Sequence, residues 1–355
     1  MEDIAALVEE EPKQKETFQL QGTIVAPHLE QDIPPGKNVL FCSTLQLAWD
    51  ALEDEVIGEK ILLEGDPSVV KALGRRLSTR KDLSEDCYVA MAERLSEEFL
   101  QRLNRTLKGK FGDQAPPEVK EAIPPWPPRF LAYAYLFKNL EFPVPFELFP
   151  GELPFFSGDH APEGRAIAFG MEEYRDEGAQ RDMAKQVKAL QYLNGDQFII
   201  EMESKSKDDK ILLAKIEPQK TLLKTVEAVE QTAREGCSTH PLLKEGETLR
   251  IPALNFNVKH TFPELSDKRF VNKGKEDWAI DKAVQWTRFR LNQKGALLKS
   301  EARFLVAGCA PSPNYVPPRR FVFDKPFLIS LKQKDASYPY FAMWVGNTEL
   351  MVKKG

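Results

Sequence analysis

The stretch from Asn292 to Pro318, NQKGALLKSEARFLVAGCAPSPNYVPP, constrains this chain more than any other. After Gly295 it runs fifteen residues, Ala296–Ala310, without a proline, then meets four prolines in eight positions. Alternate residues fall into two sets. Ala296, Leu298, Ser300, Ala302, Phe304, Val306 and Gly308 are all small or apolar. Leu297, Lys299, Glu301, Arg303, Leu305, Ala307 and Cys309 carry all three charges. A period of two with one apolar face is the pattern of a strand lying on a core. Fifteen extended residues reach roughly 50 Å at ~3.4 Å each, enough to cross a domain. Pro311 ends any run that must donate hydrogen bonds within a sheet. The same residues are also good helix formers ahead of a glycine, so an exposed helix stays open as a second reading.

Composition narrows the setting. With 355 residues, 42% of them hydrophobic, the chain can bury a full core as one large domain or two smaller ones. Its 49 basic and 54 acidic residues are interspersed without a basic patch, which argues against nucleic acid or anionic membrane as a partner. The opening MEDIAALVEEEP has a five-residue apolar run flanked by acids, neither a secretory signal nor a membrane span. The expectation is a cytoplasmic protein, with secretion open if a leader was removed. Cys42, Cys87, Cys237 and Cys309 lie far apart without CxxC spacing, which gives neither a zinc site nor a disulfide framework. His160, in SGDHAPEG, reads as a turn histidine rather than a metal ligand. There is no phosphate-binding loop, dinucleotide fingerprint or nucleophile elbow, so no enzyme, cofactor or metal is expected.

Residues 1–16 read as an acidic, peripheral tail and 17–355 as one domain. Lys37–Leu52 has helical spacing after a Pro-Pro-Gly turn and predicts a buried helix. Ser84–Gly112 predicts one amphipathic helix with a serine cap and a closing glycine. Gln114–Phe130 is proline-dense; Pro124, Pro127 and Arg129 match a polyproline ligand, but a stiff spacer leading into a strand is the preferred reading. FLAYAYLF, Phe130–Phe137, predicts a fully buried strand. Asp196–Pro218 reads as two strands around a charged turn, and Gln219–Gly236 as a helix closed by Gly236. Glu247–Phe262, Ala283–Leu291, Arg320–Gln333 and Tyr338–Val352 are strand-like. Helices come early and strands late with no βαβ rhythm, the order of an α+β fold with largely antiparallel sheets.

Four of these segments, in this order, resemble the serpins. KNVLFCSTLQLAWDAL (from Lys37) is similar to the family's buried helix opening Asn-Val-x-Phe-Ser-Pro, and FLAYAYLFKNLEFPVPFE to its strand ending Phe-Lys-Gly. AIDKAVQWTRFRLNQKGALLKSEA resembles the strand leading into the reactive-loop hinge, and FVFDKPFLISLKQKDASYPYFAMWVGN the closing strand pair. The resemblance implies an exposed reactive loop at about 295–318 that a protease cleaves. The loop then inserts as a new central strand, and the acyl-linked protease is dragged along and trapped. It implies a monomeric, single-use inhibitor of a serine or cysteine protease, with no cofactor. The hinge then comprises Gln293, Lys294, Gly295, Ala296, Leu297, Leu298, Ser300 and Ala302. Spacing from Gly295 puts the scissile bond at Cys309–Ala310; counting back from Val316-Pro-Pro puts it near Asn314–Tyr315.

Departures from the family pattern bear on the gating of the sheet. Cys42 stands for the family's serine, Tyr133 for its asparagine, and Asp281, or Gln285 when counted back from Gly295, for its histidine. Gln293 replaces the hinge glutamate, and Lys138-Asn139 replaces Lys-Gly. The part between the first buried helix and the Phe-Lys strand is short, and the first 36 residues do not look like the family's long first helix. Leu297 and Leu298 sit where smaller residues are preferred; overpacking costs ~1–3 kcal/mol and would slow insertion. The alternative to an inhibitor is therefore a serpin-fold binding protein whose loop stays passive.

Overall fold

The computed structural model describes residues 4–123, 129–158, 161–235, 241–297 and 318–354. Strands and helices are numbered along the chain. The largest sheet takes its centre from the apolar late segments: β19 (Phe327–Gln333) and β20 (Phe341–Val345). With β2 (Thr23–Ala26), β3 (Asn38–Cys42), β9 (Val187–Asn194), β10 (Gln197–Met202) and β11 (Asp209–Lys215) they form seven strands in the order β2-β3-β20-β19-β11-β10-β9. Both faces are covered, which is why β3 and β20 are continuous apolar runs. Val39 and Phe41 face Leu222, Val226 and Val229 of helix α6 (Leu222–Glu235), while Leu40 and Cys42 face the main core.

A four-stranded sheet joins β7 (Glu147–Phe155), β8 (Gly164–Met171), β12 (Thr248–Pro252) and β18 (Arg320–Val322) in the order β18-β12-β8-β7. A small antiparallel pair, β14 (Lys268–Arg269) and β15 (Ala279–Ile280), and short helices α3 (Ser68–Leu73) and α5 (Gly178–Lys185) lie around these sheets. The architecture is α+β, as the order of helices and strands implies.

The remaining strands fall into two groups. One is a five-stranded sheet, β1-β13-β16-β17-β6, made of β1 (Lys15–Glu16), β6 (Leu140–Glu141), β13 (Leu254–Thr261), β16 (Val284–Asn292) and β17 (Gly295–Ala296). The other is an antiparallel pair, β4 (Tyr88–Arg94) and β5 (Phe130–Leu136).

Four expectations are corrected here. Lys37–Leu52 is not one helix: it gives β3, then α2 (Thr44–Ala51), which runs into a π-helical turn at Leu52–Ile57. Ser84–Gly112 divides as well. Tyr88–Arg94 pairs with β5, and the helix α4 (Glu97–Phe111) starts only at Ser96, whose Oγ accepts from the Phe99 amide at 3.1 Å. Cross-strand pairing overrides the helix propensity of its Ala, Met and Glu residues. FLAYAYLF is a strand over Phe130–Leu136 but only half-buried, and among the described residues it has a partner on one edge. The acidic tail is docked: α1 (Ile4–Glu9) buries Val8 completely, and Ile4 and Leu7 pack on the main core. Pro124–Pro128, His160, Gly236, Cys237 and the segment from Leu298 to Pro317 lie outside the described residues.

Candidate functional site

The two sheet fragments lie over the same helix, α2, and among the described residues no strand joins β5 to β16 between them, which leaves a slot with these strands as its walls. Among the described residues β5 is paired along one edge, by β4, and β16 along one edge by β13, with its other edge paired only at Leu291 and Asn292, by β17. Their other edges approach each other at both ends. At one end Phe130 stacks on Trp278 (centroids 4.2 Å apart) and the Arg129 guanidinium lies 3.7 Å from the Asp281 carboxylate. At the other end β17 sits between β16 and β6, and the chain of β5 continues directly into β6. Helix α2 is the floor, packed beneath β4, β5 and β16.

The closed end is a hairpin. Leu291 pairs with Ala296 and Asn292 with Gly295; on the other side Gly295 pairs with Glu141 and Ala296 with Leu140. The turn residues Gln293 and Lys294 are buried, and their carbonyls accept from Phe146 N (2.7 Å) and Phe142 N (2.8 Å). Gly295, at φ +135°, allows this approach: a Cβ there would lie 2.3 Å from Leu140 O. Leu297, the next residue, has a φ of +87°, a conformation that side-chain-bearing residues rarely adopt. Such backbone strain costs about 1–3 kcal/mol, and an extended Leu297 would be free of it.

The two walls carry matching faces. On β16, Gln285, Thr287 and Phe289 are buried, while Trp286 and Arg288 are exposed. On β5, Ala134 and Leu136 pack on the main core, whereas Leu131, Tyr133 and Tyr135 face α4 in a cluster with Leu103, Leu107 and Phe111. Gln285 reaches the floor: its Nε2 donates to Cys42 O (3.2 Å) and Thr44 Oγ1 (3.1 Å). Gln285 Oε1, Thr287 Oγ1 and Ser43 Oγ are buried with no hydrogen-bond partner among the described residues. Orphaned polar atoms are costly in a finished core, so three at one place on the floor and wall need a reason.

Of the four residues expected in the sheet-opening region, two are in contact, Gln285 and Cys42. Tyr133 lies on the α4 side of β5, where burial pushes its hydroxyl up to about 12. Asp281 is exposed at the slot mouth, bound to Arg129. Burial pushes the Cys42 thiol up, so it is a poor nucleophile. Cys42 and Cys87 are both buried free thiols. Of the hinge residues, Gln293, Lys294, Gly295, Ala296 and Leu297 occupy the hairpin described above. Leu298, Ser300, Ala302, and both candidate scissile bonds, Cys309–Ala310 and Asn314–Tyr315, lie outside the described residues. Among the described residues no group of three or more His, Cys, Asp or Glu side chains is placed to hold a metal, and no helix is long and apolar enough to cross a membrane.

Solved structures align with the chain over most of its length. The chain is similar to solved serpins. Human kallistatin matches at 13% identity, with 88% of this chain and 92% of that one covered and a TM-score of 0.49. Serpin48 from the insect Tenebrio molitor matches at 15% identity, covering 87% and 92%, with a TM-score of 0.44. Human thyroxine-binding globulin, in complex with its hormone, matches at 12% identity, covering 88% and 92%, at 0.49. No family model and no curated relative matches the sequence.

The slot floor also holds a titrating group. Asp50, at the end of α2, has its carboxyl pushed up to about 6, chiefly by burial and against the pull of its Gln46 hydrogen bond and of Arg76. A carboxyl whose folded pKa lies above its unfolded value makes the folded state bind the proton more tightly. Its contribution to stability is full below pH 4 and is lost as pH rises through 6. Asp50→Asn, which keeps an acceptor for Gln46, is expected to raise stability at pH 7 by about 2 kcal/mol and leave it nearly unchanged at pH 4. Denaturant midpoints at the two pH values check this.

Proposed function

We propose that this chain is a serpin-like protease inhibitor whose reactive loop, once cleaved, fills the slot between β5 and β16. The observation that carries the reading is the hairpin: β17 has both edges paired at one end of a slot whose walls, beyond that end, have no further strand between them among the described residues. Continuing its register along β16 sets Leu298 opposite Phe289, Ser300 opposite Thr287 and Ala302 opposite Gln285. Continuing it along β5 sets Ser300 opposite Leu136 and Ala302 opposite Ala134. The apolar alternate set therefore falls on the buried side of both walls, and Lys299, Glu301 and Arg303 fall on the side of Arg288 and Tyr135. Ser300 arrives beside the orphaned Thr287 hydroxyl, where a Ser–Thr cross-strand hydrogen bond satisfies it. Gln285 Oε1 lies opposite Ala302, whose backbone amide serves the ladder.

The mechanism follows from these residues. A serine or cysteine protease attacks the loop at Cys309–Ala310, with Asn314–Tyr315 as the second candidate bond, and becomes acyl-linked to the new C-terminal end. The amine of Ala310 leaves with the C-terminal fragment, and the freed segment, ending at the acyl-linked Cys309, zips from Ala296. Its register pairs it with both walls as far as Arg303 and with β5 as far as Val306, and it carries the protease the length of the slot before the acyl bond hydrolyses. Relief at Leu297 favours the first step, because an inserted Leu297 is extended. The protein acts as a monomer without a cofactor, and is consumed in one turnover.

A second reading, a binding protein with a passive loop, is favoured by the bulk of Leu298, which enters opposite Phe289. Incubation with a panel of serine and cysteine proteases separates the two. The inhibitor is expected to give an SDS-stable complex with at least one active protease and none with the same protease inactivated beforehand. Cleavage with every protease, without any complex, would leave the passive-loop reading.

A further inference from the structure

The segment Ile4–Glu16 lies across the strands that hold the hinge. Val8 is fully buried, and its carbonyl accepts from Asn292 Nδ2. The Glu9 carboxylate pairs with Lys294, a turn residue whose side chain is only 5% exposed, and Glu9 O accepts from Arg290 at 3.0 Å. Glu10 O accepts from Asn255 on β13 (2.7 Å), and Glu11 pairs with Arg288 on β16. Farther on, β1 runs parallel to β13, and Glu16 bonds Lys259 at 2.6 Å. The acids of this segment thus meet a row of cations, Arg288, Arg290 and Lys294, that leads along β16 into the turn.

We infer that this segment is a brace that sets the hinge. It does not act as a detachable tail. The turn at Gln293–Lys294 is gripped from two sides: by Phe142 and Phe146, whose amides bond its carbonyls, and by the brace, which holds the Lys294 side chain and Asn292. An isolated two-residue hairpin is marginal in water, and the brace keeps this one formed before the loop is cut. In the proposed register insertion extends β17 without altering the turn, so the brace supplies a ready nucleus for insertion and stays in place during it. This deepens the proposed function and rests on it for the role in insertion, although the bracing of the turn stands apart from it.

The test uses the full chain with two sets of substitutions: Glu9→Gln with Glu11→Gln, which removes two ion pairs, and Val8→Ser, which removes the buried anchor. Hydrogen exchange is measured in the intact proteins for peptides covering 140–147 and 289–297. At least ten-fold faster exchange is expected at Phe142, Phe146 and Ala296, with Phe198–Met202 in the large sheet unchanged. Unchanged exchange at the turn in both variants would overturn the brace. The rate of thermal stabilisation after loop cleavage is then followed, and is expected to fall at least three-fold in the variants while the final gain is kept. A full gain at an unaltered rate would overturn the role in insertion. If the unsubstituted protein shows no gain at all, the insertion reading fails, and the exchange result still decides the brace.

Discussion

Ala302→Pro is expected to abolish complex formation with any protease that the unsubstituted protein traps, while the loop is still cut at the same bond. In the register that continues from β17, residue 302 lies between Gln285 and Ala134, paired on both sides. Proline has no amide proton to donate and is excluded from strands with two neighbours. Zipping would proceed from Ala296 to about Glu301 and stop, leaving the protease near the site of attack and able to complete hydrolysis. The ratio of inhibitor consumed to protease inhibited should rise by at least ten-fold, read from a titration of protease activity and from gels of the products. Trapping at the original ratio would place residue 302 outside the slot and sink the register. Lys299→Pro gives no such contrast, since any proline in the inserting run removes a ladder donor. A more selective control is Lys299→Gln on the opposite face, which is expected to leave the ratio within two-fold.

Gly295→Ala is expected to be the most damaging small substitution at the site. The added Cβ would lie 2.3 Å from Leu140 O, 2.8 Å from Glu141 Cα and 2.9 Å from Phe142 N. These are backbone atoms of a paired strand, which cannot swing aside as a side-chain end can. The φ of +135° adds a conformational penalty that glycine does not incur. Together a loss of about 3 kcal/mol or more is expected, comparable to overpacking a core. Gly109→Ala, in the last turn of α4 with nothing within 4 Å of the added methyl, should instead be neutral or stabilising by up to about 1 kcal/mol. Urea midpoints of the two variants, measured side by side, compare them. Equal stability would mean that the hairpin does not pack as described.

Much of this was legible in the sequence where the signal is local. The late strands announce themselves by alternation and β-branched or aromatic content, and Phe327–Gln333 and Phe341–Val345 pair as adjacent central strands. Asp209–Lys215 pairs with Gln197–Met202 around the charged turn that their spacing implies. Where propensity and partner disagree, the partner decides and cannot be seen locally. YVAMAER reads as helix until FLAYAYL lies beside it. The same holds for Val8 and Glu9–Glu11, which look like a solvated run of acids because their cations, Arg288, Arg290 and Lys294, lie at the other end of the chain. At the slot, the histidine-equivalent position was open between Asp281 and Gln285. One turn of counting separates them, and only the contact of Gln285 with Cys42 O distinguishes a residue on the floor from one at the mouth. The orphaned Thr287 and Ser43 hydroxyls carry no sequence signature, since what marks them is the absence of a neighbour.

The central claim is that the chain after Gly295 is spare strand for an existing slot, and melting temperature tests it most directly. The intact protein and the protein nicked once between Ala307 and Val316 are compared by calorimetry under the same conditions. Filling the slot pairs the edges of β5 and β16 that lack a partner among the described residues and buries Leu298, Phe304 and Val306. For a chain of this length a gain of about 8 kcal/mol corresponds to roughly 10 °C, at about 2 cal/mol/K of unfolding entropy per residue. A rise of that size or more is the predicted result, and a melting temperature unchanged or lowered by the nick would contradict it.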